Sequence, residues 1–186
     1  MKGITQTVEP IRDKKKLEKM KQILKKQNER DYVLFVLGIN SGLRISDLLK
    51  LRVGDVKDKD RIAMLENKTG KYKSFPFSET CRKAIKDYLD STDLHSHWLF
   101  PSRKGGNPIT RIQAYRILTE AAHQAHIKDN IGTHTLRKTF GYHAFRQGVD
   151  IALIMQLLNH ASPGVTKRYI GITQDELDNV YINLNL

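Results

Sequence analysis

Cysteine is almost missing from this chain: Cys81 is the only one among 186 residues. A single thiol excludes an internal disulfide and any four-cysteine zinc site. Cys81 falls among apolar and basic residues of an expected helix, where a thiol is an ordinary small core group. Long apolar runs are missing too, since none approaches the roughly 20 residues that cross a bilayer. Met1-Lys2-Gly3-Ile4 lacks the apolar core of a secretory signal, so a cytoplasmic location is expected. There is no internal repeat, and no low-complexity tract beyond a lysine-rich beginning. Negative charge is the scarce sign: 20 Asp and Glu stand against 32 Lys and Arg, a net charge of +12. Such an excess draws polyanions, nucleic acid first among them, although ribosomal and merely soluble proteins share it.

What is there reads as a folded globular chain, with 39% hydrophobic and 28% charged residues. Residues 13–28 carry Leu17, Met20, Ile23 and Leu24 at helical spacing, with charge on the other faces, the pattern of an amphipathic surface helix. A second helix, about 31–41, is nearly all apolar and is predicted as the buried centre, ending at Ser41-Gly42. Ser46 or Asp47 then begins a short third helix containing Leu48, Leu49 and Leu51. From Val53 to Phe77, β-prone runs alternate with turn residues, which predicts an antiparallel sheet of two or three strands with a basic turn, Lys68-Thr69-Gly70-Lys71, at its tip. Helices follow at about 78–90, 110–126, 135–147, 150–158, 163–169 and 173–183, with a Gly- and Pro-punctuated loop before the second of these. The expected class is mainly α with a small antiparallel β-sheet.

Three stretches carry residues able to do chemistry. In Gly132-Thr133-His134-Thr135-Leu136-Arg137-Lys138, a spacing of three puts His134 and Arg137 on one face at a helix start. Two cations there are unfavourable unless an anion lies between them, and a helix N-terminus favours anions; a solvated basic first turn explains them equally well. In Leu157-Leu158-Asn159-His160-Ala161-Ser162, Asn159 ends a helix and leaves His160 on a turn, while Ser162-Pro163 opens the helix that carries Lys167, Arg168 and Tyr169. Taken singly, a packed histidine and a core or rim tyrosine describe these residues well enough. Arg44, in Ser41-Gly42-Leu43-Arg44-Ile45-Ser46-Asp47-Leu48-Leu49, follows a buried helix directly, so its guanidinium needs a partner. Asp47, three residues on, is the expected one, either as an internal salt bridge or as a brace for an arginine facing a phosphate.

Taken in order, Arg44, Lys68, His134-x-x-Arg137, His160 and Tyr169 resemble the catalytic domain of the tyrosine recombinase, or phage-type integrase, family. There an arginine follows a G-L-R-I-S-[ED]-L-L-like string and a lysine lies on a β-turn. An H-x-L-R-[HK]-[ST]-F string, an L-[GN]-H string and a tyrosine follow. The resemblance covers about 130 residues in four ordered blocks. It implies DNA cleavage and rejoining in site-specific recombination, as in integration or excision of a phage or mobile element, through a 3′-phosphotyrosine on Tyr169. Arg44 and Arg137 would neutralise the phosphate, Lys68 would protonate the leaving oxygen, His134 would serve as base and His160 as a further donor. Lys71, Lys73, Lys138, Lys167 and Arg168 would contact DNA phosphates. The resemblance implies double-stranded DNA as partner, a homotetramer on paired sites, and no metal or nucleotide cofactor.

His95 with His97, and His123 with His126, offer paired nitrogens without further ligands in a known pattern, so no metal site is expected. Asn159 replaces a glycine common in the family, and Asn tolerates the left-handed backbone. Residues 1–12 read as an extension or linker, 13–172 as the catalytic domain and 173–186 as a tail helix. Its stripe of Leu177, Val180, Tyr181 and Leu184 either packs on its own domain or, as the resemblance implies, docks on a neighbouring subunit. With only about 12 residues ahead of the first expected helix, the N-terminal DNA-binding domain usual in the family is absent from this stretch, which predicts weak, salt-dependent binding. The alternative to an active enzyme is a non-catalytic DNA-binding regulator derived from a truncated integrase.

Overall fold

Asp13 starts the first helix, α1 (Lys14–Gln27), by accepting a hydrogen bond from the Lys15 N–H. The structure, a computed structural model, describes residues 7–92 and 96–172, with 181, 182 and 184 of the tail. His95 and most of the expected tail helix lie outside the described residues. Leu17, Met20 and Leu24 form the buried stripe of α1. Asn28 joins this helix to the next without a loop: its N–H closes on the Leu24 carbonyl and its side chain caps α2 (Glu29–Ser41). Val33 to Leu37 are all fully buried, so α2 is the central helix the sequence predicts, and α1, α4 (Glu79–Ser91) and α6 (Thr133–Arg146) pack around it.

Gly42 ends α2 in the left-handed conformation, at φ +60°, and a Cβ there would come within 2.5 Å of Phe140 Cδ1. Glycine is required on both counts. The turn seats Leu43 in the core and leaves Arg44 at the start of α3 (Ile45–Leu48). This helix is shorter than expected. Beyond Leu49 the backbone pairs with residues 97–99 instead: Leu99 N–H donates to Leu51 O and Val53 N–H to His97 O, each at 2.9 Å. Two strands follow, β1 (Arg61–Leu65) and β2 (Tyr72–Pro76), antiparallel with Ile62 opposite Phe75 and Leu65 opposite Tyr72. Their connecting turn carries Lys68.

The remaining helices are α4 (Glu79–Ser91), α5 (Arg111–Gln124), α6 (Thr133–Arg146), α7 (Ile151–Leu157) and α8 (Pro163–Ile170). The architecture is mainly helical with one two-stranded antiparallel sheet, as expected. The buried residues form two clusters. The larger runs from Ile11 through α2 to Leu136, while Tyr142, Ile154, Leu158 and Ile170 form a smaller one between α6, α7 and α8. Helix α6 contributes to both. Residues 9–12, expected as linker, form a strap on α6 and the end of α8: Ile11 N–H donates to Thr139 Oγ1 at 2.9 Å and Arg12 Nη2 to Gly171 O at 3.1 Å. Among the described residues no helix is long and apolar enough to cross a membrane.

Candidate active site

The two buried clusters meet at a cleft of about 220 Å³, lined by Arg44, Lys68, His134, Arg137, Asn159, His160 and Tyr169. All of the expected catalytic residues line it, although they come from four separate stretches of chain. Arg44 precedes α3, Lys68 rides on the β-turn, His134 and Arg137 lie in the first turn and a half of α6, His160 sits on the turn before α8 and Tyr169 in its last turn.

Arg137 is 3% exposed, and its two terminal nitrogens donate to the carbonyls of Gly42 and Leu158. A guanidinium carries five N–H donors, so this anchoring leaves others for an anion. The tie to Leu158 also fixes the end of α7 just before the turn that holds His160. Asn159 takes that turn at φ +50°, a conformation asparagine adopts more readily than most residues. His160 Nδ1 lies 3.1 Å from Thr166 Oγ1, and its ring meets Tyr169 edge to face with centroids 4.7 Å apart.

The electrostatics are those of a site suited to an anion. Burial, with Arg137 and Arg44 close by, pushes the His160 imidazole down to about 4. Burial also lowers His134, assisted by Arg111, Arg137, Lys138 and Arg44. Both rings are therefore neutral at pH 7, and a neutral imidazole has a lone pair to accept a proton. His134 Nδ1 lies 3.5 Å from the Tyr169 hydroxyl, at the outer limit of a hydrogen bond. Burial raises the Tyr169 phenol, while Arg137, Arg44 and a hydrogen bond from Arg137 act against that rise. Such a cleft can hold a phosphodiester between two guanidinium groups and present a tyrosine oxygen beside a neutral base.

Several supporting residues differ from expectation. The ion partner of Arg44 is Glu66, with Nη1 to Oε2 at 2.8 Å, and not Asp47. Asp47 is fully buried and accepts two hydrogen bonds from Asn67, at 3.0 Å from its backbone and 2.7 Å from its side chain. It therefore braces the turn that bears Lys68. Lys138, expected on the DNA-facing surface, is 5% exposed and stands 5.3 Å above the Tyr169 ring. Its helical position points it inward, beneath α8. Lys73 donates to the Leu157 carbonyl at 3.1 Å and lines a separate hollow between β2 and α7. Burial and the nearby Arg137 lower its ammonium to about 8. It ties the sheet to α7. Lys71, Lys167 and Arg168 are exposed.

Glu66 and Thr166 are the site residues that motif reading passes over, and it gives Asn159 only a backbone role as a helix stop. Glu66 leaves a readable trace. Ile62 and Glu66 are buried while Arg61, Ala63 and Leu65 are exposed, so period-two alternation from Ile62 places Glu66 on the inner face.

Residues 12–176 match the sequence profile of the Phage integrase family. The probable integrase/recombinase YoeC of Bacillus subtilis is 48% identical over 168 residues, covering 90% of this chain and 92% of YoeC. Tyrosine recombinase XerA of Pyrococcus furiosus is 30% identical over 186 residues, covering 98% of this chain and 64% of XerA. XerD of Corynebacterium glutamicum is 32% identical over 157 residues, covering 82% of this chain and 51% of XerD. The chain thus spans nearly all of YoeC and between half and two-thirds of these Xer relatives. Among solved structures, a XerA recombinase superposes with a TM-score of 0.79 at 25% identity, over 97% of this chain and 66% of that one. XerH bound to its difH substrate after cleavage shares the fold, with a TM-score of 0.72 at 20% identity over 91% of this chain and 51% of that one. With a match that runs from the first helix through the tyrosine helix, the chain belongs to the phage integrase family of tyrosine recombinases.

Proposed function

We propose that this chain cuts and rejoins DNA strands through a 3′-phosphotyrosyl link to Tyr169. The observation that carries the reading is the single cleft in which the Tyr169 hydroxyl, two guanidinium groups, two neutral imidazoles and Lys68 converge.

The Tyr169 oxygen attacks the scissile phosphorus and its proton passes to His134. Charge gathers on the non-bridging oxygens, where Arg44 and Arg137 donate N–H groups and His160 adds a further contact. The bond from phosphorus to the 5′-oxygen breaks, and Lys68 supplies the proton that makes a free 5′-hydroxyl. Rejoining reverses these steps with the 5′-hydroxyl of the same or another strand. The phosphodiester is exchanged and not hydrolysed, so the scheme calls for no nucleotide, and the cations of the cleft neutralise the phosphate without a metal.

Exposed Lys71, beside the turn of Lys68, and exposed Lys167 and Arg168, next to Tyr169 in α8, suit contacts to DNA phosphates, which position a duplex without reading its sequence. The overall charge of +12 acts in the same sense. The reading extends to cytoplasmic site-specific recombination within a homotetramer on paired sites, the tail of one subunit docking on the next. A lambda integrase fragment has been solved as a dimer on a core site, which supports assembly on DNA. A regulator that only occupies DNA needs no tyrosine between arginines and neutral histidines.

The test is a nicked suicide duplex carrying the chain's own recombination site. The parent protein is expected to form a denaturation-resistant adduct, and Tyr169→Phe none. An adduct that survives Tyr169→Phe contradicts the reading.

A further inference from the structure

We propose that Glu66 is a positioning residue for strand cleavage, one carboxylate oxygen holding Arg44, the turn of Lys68 and the turn of His160 in register. This rests on the strand-cleavage reading given above.

The juxtaposition is specific to Oε2. That atom lies 2.8 Å from Arg44 Nη1, accepts from Thr69 Oγ1 at 2.8 Å and accepts from Asn159 Nδ2 at 2.7 Å. The backbone of Glu66 closes the same turn: its N–H donates to Lys71 O at 2.9 Å and its carbonyl accepts from Gly70 N–H at 2.8 Å. One residue thereby joins the start of α3, the hairpin and the end of α7, the three segments that deliver Arg44, Lys68 and His160. Asp47 braces the hairpin from α3, and Lys73 ties β2 to Leu157. Glu66 is the group that links the arginine to the histidine turn.

The carboxylate is badly placed for stability alone. Glu66 is 1% exposed, and its other oxygen, Oε1, is buried without a hydrogen-bond partner. Apolar groups in place of both members of such a buried pair are often neutral or stabilising, whereas removing the carboxylate alone leaves Arg44 unpaired and is destabilising. An apolar group cannot hold three donors. The hydrogen bonds from Thr69 and Asn159, with the Arg44 charge beside it, overcome burial and keep the carboxyl down at about 2, so it remains an anion at any working pH. The Arg44 Nη1 contact is an ion pair at 2.8 Å, so Glu66 sets the place of the guanidinium.

Glu66→Ala, Glu66→Asp and the isosteric Glu66→Gln in the full chain test this. The readouts are adduct formation at saturating suicide duplex, duplex affinity by fluorescence anisotropy, and the side-chain amide resonances of Asn159 by NMR. Glu66→Ala is expected to slow cleavage on the order of 10²-fold, the scale of a small misplacement of reacting groups, with affinity unchanged. The Asn159 amide signals should move to free-amide positions, and Glu66→Asp should recover part of the rate. Glu66→Gln keeps the shape and loses the charge facing Arg44, so it slows cleavage by a smaller factor and serves where Glu66→Ala fails to fold. A folded variant that cleaves at the parental rate, loses affinity alone, or leaves the Asn159 signals in place overturns the proposal. Should the parent form no adduct on any duplex, the cleavage reading falls by itself. The Asn159 signals then decide the clamp: movement supports it and no movement overturns it.

Discussion

Tyr169 and His160 share a face of the cleft, and both are held in their neutral forms, the phenol raised and the imidazole lowered by burial. For His160 this has a consequence in stability. The folded ring titrates at about 4 against an ordinary value of 6.5, so the unfolded chain takes up the proton first as pH falls. The contribution is whole above pH 6.5, is lost progressively toward pH 4, and changes no further below that. Because the ring is partly exposed, solvent screening limits the effect to about 1 kcal/mol. His160→Gln should flatten that segment of the stability curve in urea titrations between pH 7 and pH 4.5; His134, shifted the same way, leaves some slope behind. A variant with the full parental slope contradicts the assignment. At this scale the cleft residues were legible because their short strings come in a fixed order. The partner of Arg44 was not, since proximity in sequence favoured Asp47 while the hairpin folds Glu66 onto the arginine. Lys73 and Lys138 were misplaced because a charge count treats every lysine as surface.

Helix α8 carries the nucleophile, and its approach to α6 is set by a missing side chain. A Cβ at Gly141 would lie 2.6 Å from Ile170 Cγ2 and 3.1 Å from Leu158 Cδ1. Gly141→Ala must therefore push α8 outward or tilt it, with Tyr169 one residue from the contact. The expected result is a loss of about 1–3 kcal/mol in stability, the usual cost of overpacking. Strand cleavage at saturating DNA should fall by about 10²-fold, with duplex affinity retained. Parental cleavage in a folded Gly141→Ala protein would show that α8 tolerates the shift. Helix periodicity made α1 legible in advance, because it buries one stripe and ends at Asn28, and the apolar run ending at Gly42 did the same for α2. The short third helix was expected, but its end was not legible: the chain beyond Leu49 pairs with residues 97–99, a contact that no local pattern encodes.

Among the described residues two buried clusters are bridged by α6, with the cleft along their seam and the strap of residues 9–12 holding α6 and the end of α8. The described tail residues Tyr181, Ile182 and Leu184 are exposed, and the proposal that the tail docks on a neighbouring subunit is open to test. Deleting residues 173–186 should leave the unfolding free energy within about 0.5 kcal/mol of the parent and abolish higher-order complexes on paired sites in gel-shift assays. Loss of folding would show instead that the tail belongs to its own core. The central claim is tested most directly by the chemistry of the DNA adduct itself. The protein–DNA conjugate formed on a suicide duplex is digested and the nucleotide-bearing peptide sequenced by mass spectrometry. The released strand is then offered to a polynucleotide kinase without phosphatase. The account predicts a 3′-nucleotide on Tyr169 and a released 5′-hydroxyl that labels at once; attachment at another residue, or an end that labels only after phosphatase, would contradict it.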